Sequence, residues 1–345
     1  MENEIKNNEL EETKEITPIV KEEETKEEEA PVEEPPVEQS AIEAEPISYP
    51  SEHLQKIEDA RAAFLKLYRT QNVWKWVVSF FAIAAVIFGC IVAPNLNLPN
   101  NSHLYVMIST LVGALIITIV YTVLSKKYLH KKMREYFALF YDCVNAYVFD
   151  EDVKDISMTF PGNIEDQTFF DNNLYKDVVK VGSRGLTEFV YKDIPVAVVD
   201  AAAQVRKDKR LYPAYVGKYL FAAANYDYDE PLYIYYKGDK RALPPTNLDG
   251  VKDVHNDKKM IIYSNNKDWK KVISSSVKQI LTSIEMHHDL VDLAISIQRG
   301  RIFVCMGYDD PLMVLPLQTQ FNPKPTIDYK KDVYKVLKLI EEFNK

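Results

Sequence analysis

Four titratable side chains crowd one short stretch of this chain: Glu285, His287, His288 and Asp289. Imidazole and carboxylate together are the raw material of metal sites and of acid–base catalysis. Glu285 and His288 stand three apart, the spacing found in carboxylate-bridged metal sites on helices. Such a site needs a second copy of the motif and further Glu on facing helices. Only one copy is present. The alternative is a solvated helix end, where His suits the negative pole of the helix dipole, and no metal site is assigned.

Other chemistry-bearing residues are as sparse. Residues 181–185 (VGSRG) have the outline of a nucleophile elbow without its G-x-S-x-G, and read as a turn. Neither G-x-x-x-x-G-K-S/T nor G-x-G-x-x-G occurs, so no phosphate-cradling loop and no cofactor is assigned. Cys90, Cys143 and Cys305 lie far apart, without metal or redox spacing, and read as reduced, packed thiols. Eight of the 22 Tyr fall at 212, 215, 219, 226, 228, 233, 235 and 236. Aromatics with polar tips suit binding surfaces, and they equally suit half-buried strands. Residues 227–230 (DYDE) read as a turn, because calcium needs more oxygen ligands at fixed spacing. No catalytic residue emerges.

The elements that would position these side chains are those of an α+β domain. Residues 188–199 and 218–225 read as strands, and 232–236 and 259–263 as short apolar, aromatic ones. The period then changes. Trp269, Val272, Ile273, Val277, Ile280, Leu281 and Ile284 share one face of a single helix over residues 268–284, with Asn266 or Asp268 as its cap. Val291, Leu293, Ile295 and Ile297 alternate with Asp292, Ala294, Ser296 and Gln298, predicting a strand with one buried face. A turn at Arg299 and Gly300 folds it onto residues 301–306. Val333, Val336, Leu337, Ile340 and Phe343 make a closing helix capped by Thr326 or Asp328, with Pro323 and Pro325 holding the preceding segment extended. An antiparallel sheet closed by a C-terminal helix follows.

Before this domain stand two apolar runs, residues 77–93 and 104–124, without a charge in 17 and 21 residues. With Trp74, Lys75 and Trp76 in front, the first covers 20 residues. A helix rises about 1.5 Å per residue, so each run spans roughly the 30 Å of a bilayer core. Arg61, Lys66, Arg69 and Lys75 precede the pair, and Lys126, Lys127, Lys131, Lys132 and Arg134 follow it. The connection, residues 94–103, holds no Lys or Arg. Positive charge stays inside, which predicts a multi-pass plasma-membrane protein with both termini cytoplasmic. Trp74, Trp76, Tyr121 and Tyr128 sit near the inner boundary, where amphipathic rings settle. The first run begins far from the N-terminus and reads as an uncleaved anchor. Ala85 and Gly89, and Ser109 and Gly113, are small residues four apart at matching depths, a spacing that lets membrane helices approach closely. Neither run contains an ionisable residue other than Cys90 and Tyr, which argues against conduction by the hairpin alone.

Helical periodicity extends the pair into the cytoplasm. Leu54, Ile57, Ala60, Phe64, Leu67 and Tyr68 recur on one face, with Ser51 as N-cap. Leu129, Met133, Tyr136, Phe137, Phe140 and Val144 do so after the second run. They predict a two-helix stalk; the rival for residues 126–137 is a helix lying on the membrane surface. The first fifty residues carry 17 Glu, 4 Lys and six Pro, a net charge of −13, and predict disorder. The remainder carries +4, without the dense basic stripe of a nucleic-acid binder. The domains are then an acidic tail at 1–50, a juxtamembrane helix at 51–73 and transmembrane helices at 74–93 and 104–124. An external turn at 94–103 joins the latter two, a helical stalk follows at 125–149, and a cytosolic α+β domain occupies 150–345.

The stretches GLTEFVYKDIPVAVVDAA, GKYLFAAAN, MIIYSNNKDWKKVISSSVKQILTSI, LAISIQRGRIFVCM and VLKLIEEF resemble DUF3137 over roughly residues 55–345. This is a family of uncharacterised bacterial membrane proteins with two membrane helices before a cytosolic domain. The resemblance implies that architecture, a bacterial plasma membrane, and a LemA-like membrane protein as a partner candidate; it implies no catalytic residue. The function expected is a membrane-anchored cytosolic binding or scaffold module, with the lipid bilayer and an unidentified protein as partners. The alternatives are a tethered enzyme with an unfamiliar site and an accessory subunit of a transport or envelope assembly.

Overall fold

The computed structural model describes residues 49–92, 95, 102–224, 230–237, 251–287, 289–308 and 317–345. The acidic tail and most of the predicted external turn lie outside these. Residues 46–345 form one unit. It starts with two long helices, α1 (Ser51–Ile87) and α2 (Ser102–Val148), the first ending in a π-helical turn, Phe88–Val92. Both are apolar and long enough to cross a bilayer, with a mean hydropathy of 2.3 over their most apolar 18 residues. Neither breaks where the expected membrane segment would meet the expected stalk. No Pro or Gly occurs between Ser51 and Phe88, nor between Gly113 and Val148, so nothing interrupts the backbone hydrogen bonds. A surface-lying helix at residues 126–137 would need a joint that α2 lacks. Pro50, not Ser51, occupies the N-cap of α1, and Ser51 is its first helical residue.

Among the described residues, nine strands then build one antiparallel sheet in the order β1-β2-β3-β4-β9-β8-β5-β7-β6. They are β1 (Val153–Thr159), β2 (Val178–Tyr191), β3 (Ile194–Lys207), β4 (Arg210–Ala223), β5 (Leu232–Tyr236), β6 (Asp253–Asn256), β7 (Met260–Ser264), β8 (Leu290–Gln298) and β9 (Arg301–Tyr308). Residues 188–199, which read as one strand, are in fact the folded-back ends of β2 and β3. The chain reverses at Lys192 and Asp193, at Asp208 and Lys209, and at Arg299 and Gly300, every one at positive φ. Two consecutive left-handed residues match the twist of the flanking strands. Only the third turn carries the Gly that announces such a reversal, and only that turn was legible.

Two further corrections concern helices. Residues 268–284 form two pieces, α4 (Trp269–Val272) and α5 (Ser275–Ser283), with Ile273 at φ −87° and ψ 70° between them. Ser274 Oγ accepts from Val277 N–H at 3.3 Å, so a serine cap outcompetes the continuous helix. Asp268 stands before α4 but its side chain makes no capping bond. The closing helix, α6 (Lys324–Phe343), starts earlier than predicted. Pro323 is its N-cap and Pro325 lies in its first turn, where a missing N–H costs nothing, so the prolines start the helix rather than hold the chain extended. Thr326 and Asp328 are therefore inside it.

Both faces of the sheet are covered. On one face, Val196, Val198, Leu220, Leu293, Ile295 and Val304 pack with α5, α6 and the last three turns of α2. Tyr136, Phe140, Val144 and Val148 belong to that core, so it begins before residue 150. On the other face lie Phe169 of α3 (Asp166–Phe170), Leu174, Tyr215, Tyr219, Tyr235 and Phe303. This second cover buries the side of β8 that its alternation assigned to solvent: Ser296 and Gln298 are buried, and Gln298 Nε2 donates to Asp171 O at 2.8 Å and Asn172 O at 2.9 Å.

Candidate functional site

Three charged residues lie side by side across the middle of the sheet. Arg184 on β2 pairs with Asp200 on β3, which pairs with Lys218 on β4. Residues directly opposite in register share a face. Here it is the helix-covered face, and α2 and α6 close over it with Tyr141 and Tyr329. Lys218 Nζ pairs with Asp200 Oδ1, and Tyr141 OH donates to Asp200 Oδ2. Arg184 Nε stands 4.0 Å from the same Oδ2. The Lys218 ammonium lies 5.1 Å from the Tyr329 ring centre and 5.9 Å from that of Tyr141. Burial pushes the Lys218 pKa down, and Asp200 opposes the fall. Burial, then the Asp200 charge, pushes the Tyr141 hydroxyl far above its ordinary range. Gly185, at φ +69°, makes the close approach of Tyr141 possible: a Cβ there would stand 2.7 Å from the ring.

Beside this row is a pocket of about 380 Å³. Gly182, Ala202 and Val216 are the next set of cross-strand partners and form its floor. Their small side chains leave the space; Arg184 and Asp200 wall it. Ser183 also lines it, its Oγ accepting from Ile164 N–H at 3.0 Å. Lys218 sits behind the wall. The row holds two cations against one carboxylate, a surplus of one positive charge. Asp200 is occupied by Lys218 and Tyr141, and among the described residues that line the space no nucleophile faces a base. The arrangement fits recognition of a group with an anionic end and a small apolar body.

The sequence pointed here only obliquely. VGSRG, read as a turn, is the part of β2 that supplies Gly182, Ser183 and Arg184. Asp200 and Lys218 went unremarked. Their one signal was a charge inside an otherwise apolar strand, VAVVDAAA and GKYLFAAA.

The other candidates disperse. Helix α5 ends at Ser283, so Glu285 and His287 lie beyond it and the helical spacing with His288 does not arise; His288 lies outside the described residues. His287 Nε2 meets Asp332 Oδ2 at 3.0 Å, and Tyr308 OH donates to the same oxygen at 3.1 Å. Among the described residues no group of three His, Cys, Asp or Glu is arranged for a metal. Tyr215, Tyr219, Tyr233, Tyr235 and Tyr236 are buried in the sheet's cores, whereas Tyr212 is 43% exposed. Tyr226, Tyr228 and most of DYDE are outside the described residues. Cys143 and Cys305 are buried, which pushes both thiols up, and Cys90 is exposed on the π-helical turn.

At the predicted inner boundary, Trp74, Lys75 and Trp76 are exposed, as are Lys126, Lys127, Lys131 and Arg134. Lys132 pairs with Glu135 at 2.7 Å. Tyr121 OH donates to Gln71 O at 3.2 Å and Ser125 Oγ to Gln71 Oε1 at 3.2 Å, tying α1 to α2 at this level. Of the four small residues, Gly89 is buried, with Leu111 and Met107 O 3.5 Å from where its Cβ would stand. Ala85 is half-buried and Ser109 exposed, its hydroxyl turned back to Val106 O. A Cβ on Gly113 would meet open space.

No family model and no curated protein matches the chain. Among solved structures it is similar to the crystal structure of the mycobacterial trehalose monomycolate transport factor A, TtfA, with 11% identity over 48% of this chain and 73% of that one. The TM-score is 0.31, a likeness too distant to carry an argument about function.

Proposed function

We propose that this protein is a membrane-anchored binding module whose sheet domain lies on the cytoplasmic side. Helices α1 and α2 cross the bilayer, and both termini are cytoplasmic. The two apolar helices and the Lys and Arg clusters confined to one end of them support this reading, and the resemblance to a two-pass family agrees with it. The recognition surface is the pocket over Gly182, Ala202 and Val216. The observation that carries it is the Arg184–Asp200–Lys218 row, which sets a surplus positive charge beside the pocket, with Arg184 and Asp200 in its wall. The partner offers a carboxylate or phosphate to Arg184 and a slim apolar group to the floor; a LemA-like membrane protein is one candidate.

A photo-crosslinking residue in place of Ala202, in the full chain in its native membrane, captures the partner, and adding Arg184→Glu abolishes the adduct. Capture no greater than from a probe at the exposed edge residue Lys154 overturns the reading. For orientation, a cysteine in residues 95–101 reacts with an impermeant maleimide on intact cells and one in the acidic tail does not; the reverse pattern overturns the topology.

A further inference from the structure

The longest strands of the sheet point along α2 toward its apolar half. Phe149 packs against Phe189 with ring centres 4.5 Å apart, Asn145 Nδ2 donates to Thr187 Oγ1 at 3.1 Å, and Tyr141 meets Gly185 and Asp200. Stepping from Phe149 back to Tyr141 on α2 thus means stepping from Phe189 to Gly185 on β2, and onward past Asp200 on β3. Continuing, α2 reaches Ser125, at the end of its charge-free run, after sixteen residues, or about 24 Å of helix. Strand β3 reaches Lys207, its last residue, after seven residues, or about 23 Å of strand. The two lengths match, so the β3–β4 turn arrives at the level where α2 leaves its apolar half.

The chemistry of that turn is distinctive. Arg206, Lys207, Lys209 and Arg210 surround the lone acid Asp208, and all five are exposed. Among the described residues, none of the four cations is held in an ion pair. Beside them, Leu211 and Tyr212 are each 43% exposed, and Val179 on the adjoining strand is 48% exposed. Asp208 and Lys209 form a two-residue reversal at φ 47° and 66°, a tight turn that presents these side chains on a stiff tip. Cations beside aliphatic and aromatic side chains are what a phosphate headgroup layer over hydrocarbon attracts.

We propose that the β3–β4 tip docks on the anionic lipid headgroups of the membrane that α1 and α2 cross, with its four cations on lipid phosphates and Leu211 and Tyr212 at the interface. This rests on the membrane reading above and extends it. The domain then touches the bilayer at two places, the stalk cations Lys126, Lys127, Lys131 and Arg134 and this tip. The pocket floor, carried by the same strands, opens close to the membrane surface.

The test uses the full chain, with Cys90→Ala, reconstituted in vesicles of phosphatidylcholine alone or mixed with phosphatidylglycerol. An environment-sensitive fluorophore is placed at Leu211→Cys, at Ile117→Cys within α2, or at Lys154→Cys on the far sheet edge. Brominated lipid quenches the Ile117 probe in both compositions. It quenches the Leu211 probe only when phosphatidylglycerol is present, and high salt or Arg206→Glu with Lys207→Glu reduces that quenching to the level of the Lys154 probe. A quenched Ile117 probe with an unresponsive Leu211 probe overturns the docking tip and leaves the membrane reading standing. Failure to quench Ile117 overturns both.

Discussion

The two ends of α2 are one unbroken helix with two different surfaces. Toward Ser102 it turns Leu115, Ile116, Ile117, Val123 and Leu124 outward, each more than half exposed. Toward Val148 it buries Tyr136, Phe140, Tyr141, Val144 and Val148 in the core that it shares with α1 and the sheet. The first end is apolar and long enough to cross a bilayer, where only the apolar character of a side chain would matter, because lipid makes few demands on shape. At the second, packing to interior density and pairing of a buried charge make each residue specific. Substitutions should therefore be costly at one end and nearly silent at the other.

Lys218→Met sets the upper limit of that contrast. It removes the buried cation that pairs with Asp200 and leaves that largely covered carboxylate only the more distant Arg184, 4.0 Å away, at a cost of up to about 3–5 kcal/mol. Adding Asp200→Asn restores much of the loss while keeping an acceptor for Tyr141. Denaturant midpoints of both variants in detergent check this, and equal midpoints for the single and double variants would break the charge-pair account.

Leu281→Ala comes next, at about 2–5 kcal/mol, because Leu281 is fully buried beneath the sheet. Ile280 and Trp269 are only partly buried, so truncating either costs less than truncating Leu281. The periodicity puts Trp269 and Ile280 on the same helix face as Leu281 without ranking them, and the same unfolding assay tests the ranking that burial gives.

Gly185→Ala costs about 1–3 kcal/mol, since a methyl at positive φ is strained and here also strikes the Tyr141 ring. Its signature is loosening of α2 from β2, read as faster amide exchange around Asn145 and Thr187. Unchanged exchange there would locate the strain elsewhere.

The smallest effects lie in the hairpin. Gly113→Ala changes stability by less than about 0.5 kcal/mol, because nothing stands near the added methyl. Gly89→Leu displaces Leu111 and lowers disulfide trapping between cysteines on facing positions of α1 and α2. Equal trapping in both variants would remove Gly89 from the contact.

Legibility followed the range of the interaction that decides each feature. Helical periodicity was readable from Ser51 onward and again before Val148, yet the break at Ser274 was not. It depends on a cap bond of one serine competing with a helix that the apolar spacing alone supports equally well. The turn at Arg299 and Gly300 was readable; those at Lys192–Asp193 and Asp208–Lys209 were not, because residues with a Cβ take positive φ only when the strands on both sides insist on it. The candidate site was the least legible part. Arg184, Asp200 and Lys218 are each ordinary charges in sequence, and their row exists only once the register of β2, β3 and β4 is known.

What the amino-acid order by itself determined is the solvent preference of each segment: two apolar runs of bilayer length, cations at one end of them, an acidic tail, and an α+β pattern beyond. Those are sums over neighbouring residues and need no partner to be evaluated. The tertiary structure alone decided which charges meet, which face of β8 is dry, and where the β3–β4 tip stands relative to α2. Each of these depends on strand register and on a second layer covering the sheet, and such pairings between distant residues leave no mark on local composition.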